Sequence, residues 1–147
     1  MDIKELRVGN IVKIDDEYLG PIEGKVKSMN ELGVVELLLS ISEGYDRWFV
    51  CGAEDIFPIP ITDELLLKIG FKKGRNGYFN YRDYDDKLSI RFSENYTLIE
   101  YTNQYFNPED IPETNYSSSL EFPNTLHLHT LQNIWHLLTG EELEIKL

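Results

Sequence analysis

From Ile11 to Cys51, short apolar runs are separated by turn-forming residues, the pattern of a chain of short strands. Ile11–Ile14 follows Val8-Gly9-Asn10, and Asp15-Asp16 predicts the first turn. Ile22–Met29 alternates apolar or small residues with charged ones, as a half-buried strand does. Asn30–Gly33 predicts a second turn. Val34–Ile41 is long and mostly apolar, which predicts a central strand, and Arg47–Cys51 predicts another after Gly44. Ala53–Phe57 predicts a short helical turn leading into Pro58-Ile59-Pro60, where prolines remove ladder donors and mark a boundary.

Beyond the prolines the period changes. Thr62 is placed as the N-cap of a helix with Asp63 and Glu64 in its first turn, Leu65, Leu66 and Ile69 on its buried stripe, and Gly70 at its end. Three strands follow: Tyr78–Arg82 after the Asn76-Gly77 turn, then the alternation through Leu88, Ile90 and Phe92, then Tyr96–Tyr101. Their short connections predict an antiparallel meander. Residues 102–124 contain three prolines and no sustained period, and predict a long loop. A second helix is predicted over the stretch in which Leu128, Leu131, Ile134, Trp135 and Leu138 share one face. Gly140 ends it, and the alternation of Leu143, Ile145 and Leu147 with charged residues predicts a closing strand.

Two blocks, PITDELLLKIGF and LQNIWHLLTGEEL, resemble a group of small bacterial proteins without assigned activity that phages and other mobile elements often carry. The resemblance covers residues 60–71 and 126–147, and Leu6–Val12 loosely. It implies architecture and a genomic neighbourhood, and transfers no site residue. Separately, LRVGNIVKI followed by GKVKSM resembles the opening of an SH3-like barrel, in which Gly24 permits a sharp bend and Val26 points inward. The expected fold is therefore α+β. A small SH3-like barrel spans 1–57. An antiparallel sheet with two helices, in the order helix, three strands, helix, strand, spans 58–147. Both helices are expected to cover that second sheet.

Composition narrows the function. The formal net charge is −12, which repels phosphate backbones and argues against nucleic-acid binding. The charge is uneven: residues 68–91 carry seven basic side chains against three acidic ones, and residues 92–147 carry one against nine. Opposite charges pairing across a folded sheet explain this, with a basic docking patch as the sharper alternative. No apolar run reaches the ~18 residues of a membrane span, and the N-terminus lacks a signal-like apolar core. The protein is expected to be cytoplasmic. Cys51 is the single cysteine, in an apolar strand, and is read as a small buried hydrophobe.

Candidate chemistry is sparse. The polar face of the last helix carries His129, Gln132, Asn133 and His136. The two histidines stand two turns apart, roughly 10 Å between Cα atoms, too far to share one metal from a rigid helix. This face is expected to be solvated, and it is the candidate binding surface together with Tyr105 and Tyr116 of the long loop, since exposed tyrosines favour protein recognition. Asp83, Asp85 and Asp86 have turn spacing rather than that of a calcium loop. No phosphate loop and no nucleophile elbow are present. No catalytic residue, metal ligand or cofactor is assigned. The expected function is that of a non-catalytic protein-binding or accessory protein of a phage or mobile element. The first alternative is an acidic nucleic-acid mimic that occupies a DNA- or RNA-binding protein. The second is an enzyme with a pocket joining His129 or His136 to carboxylates.

Overall fold

The computed structural model describes residues 1–42, 45–74, 77–81, 86–93, 96–104, 115–123 and 126–145. The chain is α+β, with two antiparallel five-stranded sheets and two α-helices among the described residues. It divides into two compact units. The first contains Met1–Pro60 and His127–Ile145, and the second contains Ile61–Leu126. The second unit is thus an insertion in the chain of the first. The expected continuous part 58–147 is divided, because its last helix belongs with the N-terminal sheet.

The first sheet contains β1 (Ile11–Asp16), β2 (Gly20–Met29), β3 (Val34–Ser42), β4 (Tyr45–Gly52) and β5 (Ile56–Phe57), in the order β4-β3-β2-β1-β5. Asp15 and Asp16 end β1 rather than forming the turn, which lies at Glu17–Leu19. Period-two alternation buries Val12, Ile14, Val26, Val35, Leu37 and Leu39 on one face, where Leu6, Ala53 and Ile56 complete the core. Val26 points inward as expected, and the ladder shifts register between Val26 and Ser28. At Gly24 a Cβ would stand 2.7 Å from a Leu39 methyl, so a larger residue would have to displace that buried side chain. The expected barrel is not closed by the ladder, which ends at β4 on one side and β5 on the other. Its second edge is only two residues long because Pro58 has no N–H to donate.

In the second unit, α1 (Asp63–Lys68) starts at Thr62, whose hydroxyl accepts a bond from the Leu65 N–H at 3.2 Å. It ends in a Schellman turn: the Gly70 N–H donates to Leu67 O, the Phe71 N–H donates to Leu66 O, and Gly70 has φ +99°. The sheet runs β6 (Lys72–Lys73), β7 (Tyr78–Tyr81), β8 (Asp86–Phe92), β9 (Tyr96–Gln104) and β10 (Asn115–Pro123), each paired with its sequence neighbour. The meander is longer than expected at both ends. Part of the predicted loop 102–124 is strand: Tyr116 pairs with Asn103, and the ladder continues to Pro123 opposite Tyr96. Residues 105–114 lie outside the described residues, as do Asp83 and Asp85.

In the first unit, α2 (Leu128–Thr139) ends at Gly140, whose φ of +73° and N–H bond to His136 O make a left-handed cap. Leu128, Leu131, Ile134 and Trp135 are buried as the helical period predicted. Residues Glu142–Ile145 are not a strand. Leu143 is buried, but the described stretch pairs with no sheet edge, so alternation alone does not make it a strand.

Candidate functional site

The polar face of α2 is turned largely inward: His129 and Gln132 are buried, and Asn133 and His136 are half-buried. Gln132 is only 2 % exposed. Its Oε1 accepts the Ile11 N–H at 2.8 Å and its Nε2 donates to Gly9 O at 3.2 Å. One side chain thereby satisfies two backbone groups where β1 begins. Asn133 extends the seam: its Oδ1 accepts from Asn10 Nδ2 at 2.9 Å and from Arg7 Nε at 3.3 Å, while its Nδ2 donates to Glu5 O at 2.9 Å. The Arg7 guanidinium then forks onto both carboxylate oxygens of Glu142, at 2.5 and 2.9 Å. This bidentate pair holds the Glu142 carboxyl below its ordinary value. His136 Nδ1 lies 3.5 Å from the same carboxylate.

His129 is buried at 3 % exposure, and its ring stacks on His127 with centroids 5.7 Å apart. Burial first, and the neighbouring His127 second, push its pKa down, so the ring is held neutral. Gln132 and Asn133 are therefore fastenings of the last helix, and His129 is buried within its packed face. Tyr105 lies outside the described residues; Tyr116 is described only by its backbone position in β10. Among the described residues no group of three or more His, Cys, Asp or Glu side chains is arranged to hold a metal.

A different place in the first unit has the geometry of a site. A cleft of about 470 Å³ is lined by Ile14, Asp15, Asp16, Glu17, Tyr18, Arg47, Phe49, Asp55 and Phe57. Asp16 builds it. Its Oδ1 accepts the Tyr18 and Leu19 N–H groups at 2.9 and 3.1 Å, folding the Glu17–Leu19 turn back on β1. Those two bonds hold the Asp16 carboxyl below its ordinary value. Gly20, at φ +73°, lets the chain reverse into β2. The turn lifts Tyr18 into solvent, 91 % exposed. Across the cleft, β4 supplies Arg47 and Phe49, placed opposite Leu39 and Leu37 of β3. The other oxygen of Asp16 stands 4.0 Å from the Arg47 guanidinium. The third wall is the 3-10 turn Ala53–Asp55 and Phe57 of β5, which is half exposed.

The lining thus combines three aromatic rings, four carboxylates and one guanidinium, with no imidazole, thiol or aliphatic hydroxyl. Cys51, next along β4, has its thiol pushed up to about 11, first by burial and then by Asp55 and Glu54, so it stays protonated. Carboxylates beside aromatic rings and a guanidinium suit the site to binding a polar or cationic group. Sequence reasoning missed it. Asp15-Asp16 carry turn propensity, which hides the part Asp16 plays in the cleft. The local signal was an acidic run ending in Tyr18-Leu19-Gly20, an aromatic residue just before a reversal.

No family model, no curated protein and no solved structure matches this chain. Among the described residues, no helix is long and apolar enough to cross a membrane.

Proposed function

We propose that the protein is a non-catalytic protein-binding module, an accessory protein of a phage or mobile element, and that it binds through the cleft of its first unit. The observation that carries this reading is one open cleft lined by the exposed Tyr18 together with Phe49 and Phe57. Aromatic side chains grouped in a cleft are the commonest anchors of protein interfaces. The PITDELLLKIGF and LQNIWHLLTGEEL resemblance supports the mobile-element setting. An SH3-like barrel is the fold we propose for the first sheet. Its support is the strand order, with β5 returning beside β1, the 3-10 turn before β5, and the register shift in β2.

The test is a photoreactive benzophenone side chain placed at position 18, with the same group at Leu32 as control. Leu32 is as exposed as Tyr18 but lies in the β2–β3 turn. Irradiation in the bacterial cytoplasm is expected to give a discrete polypeptide adduct from position 18 alone. No adduct, or equal adducts from both positions, overturns the reading. A second reading, an acidic mimic of nucleic acid, draws on the −12 charge. It predicts that the adducted partner is a nucleic-acid-binding protein and that DNA or RNA competes with the adduct.

A further inference from the structure

Resting on the binding-module reading, we infer that the occupant of this cleft is an extended segment of a partner protein that carries arginine or lysine. Charge comes first. Arg47 already faces Asp16, whose carboxylate is also committed to the turn. Asp15, Glu17 and Asp55 are exposed and form no ion pair among the described residues. The cleft therefore presents uncompensated negative charge beside aromatic rings. A guanidinium satisfies both at once, because it can fork onto a carboxylate and stack on a ring face.

The extended form follows from topology. The cleft is bordered by β4 and by β5, the two edges of the open sheet. Among the described residues β4 pairs only with β3, so its outward N–H and C=O groups lack a ladder partner. An extended chain laid along an edge supplies backbone partners to the sheet while its alternate side chains enter the cleft. A helix, with its backbone groups already paired, offers the edges nothing. A nucleic acid would bring phosphates to carboxylates. A bare metal ion would find carboxylates that do not converge.

The experiment uses short capped peptides of strand-forming sequence in which one alternate position is arginine, lysine, citrulline or glutamate. Binding to the full chain is read by fluorescence anisotropy at low and at added salt. Arginine is expected to bind best, lysine less well, citrulline weakly and glutamate not at all, with affinity falling as salt is added. Asp55→Asn and Glu17→Gln should each weaken the arginine peptide roughly two- to fivefold. Tyr18→Ala should weaken it roughly two- to tenfold. Glu31→Gln, a charge change in the β2–β3 turn, should leave affinity unchanged. Circular dichroism melts of each variant identify loss of fold, and the peptide series on the unaltered protein does not depend on them. Equal binding of arginine and citrulline peptides overturns the inference. So does binding unchanged by both carboxylate substitutions, or concentration-dependent self-association blocked by Tyr18→Ala. A position-18 adduct obtained while no cationic peptide binds would remove this inference and leave the binding module standing.

Discussion

Gln132 shows what a single side chain decides in this molecule. By sequence it sits on the polar face of an amphipathic helix, where a solvated glutamine is the ordinary expectation. In the fold it supplies an acceptor to Ile11 and a donor to Gly9 at a buried position. Gln132→Ala leaves both backbone groups without partners and should cost about 1–3 kcal/mol, read as a lower urea midpoint at unchanged slope. Beside it, His129 links stability to pH. Burial keeps its folded pKa below the ordinary 6.5. As pH falls the unfolded chain therefore takes up that proton first, and stability declines below pH 6.5 until the folded imidazole also titrates. Above 6.5 this contribution is flat. His129→Leu should remove the decline just below 6.5, measured as the urea midpoint against pH. An unchanged slope would show that His129 is not its source. Glu142 acts lower on the scale. Its carboxyl is depressed chiefly by the bond from Arg7, so its contribution is full above the ordinary carboxylate value of 4.5 and is lost as pH falls through its folded value. Glu142→Gln should flatten the acid end of the same curve.

Elements with a strong period and a punctuating residue were legible in the chain. α1 has its cap at Thr62 and its stop at Gly70, and β1 to β4 follow runs whose apolar positions face one core. In α2 the stripe Leu128, Leu131, Ile134 and Trp135 was read correctly because burial follows the helical period. Trp135 is fully buried, and Trp135→Ala should cost about 3–5 kcal/mol, visible as a large drop in thermal midpoint. A melt unchanged by this substitution would contradict its placement. Two elements failed for physical reasons. β10 contains Ser117-Ser118-Ser119, with Leu120 facing solvent, so it carries no alternation to detect. Its order comes from backbone pairing with β9 along an edge, where Pro123 is tolerated. The closing strand failed in the opposite way. Leu143 and Ile145 alternate, yet a strand needs a partner edge, and periodicity reports burial rather than pairing.

Across the whole molecule, the missing information was which sheet each helix serves. The apolar period of α2 says that one face is buried but does not name its sheet. Membership of the first unit is visible in pairings that span more than a hundred residues, such as Asn133 with Asn10 and Arg7 with Glu142. The cleft escaped for the same reason, since residues 14–18, 47–49 and 55–57 meet only after β5 returns beside β1. Charge, by contrast, is a property of the whole chain and could be read directly. The last prediction rests on it. The basic segment 68–91 is the one place where the −12 average hides a local excess of positive charge. There Lys73 is paired with Asp63 at 3.1 Å and lies over the Phe79 ring, while Arg91 lies over the Tyr78 ring. Cations already engaged with a carboxylate or a ring are poor phosphate ligands, and the remaining field is acidic. Neither duplex nor single-stranded DNA should shift in a gel at micromolar protein and physiological salt. A shift that weakens as salt is added would show that the basic segment binds phosphates. If Lys73→Glu then abolished that shift, the second unit would carry a nucleic-acid surface.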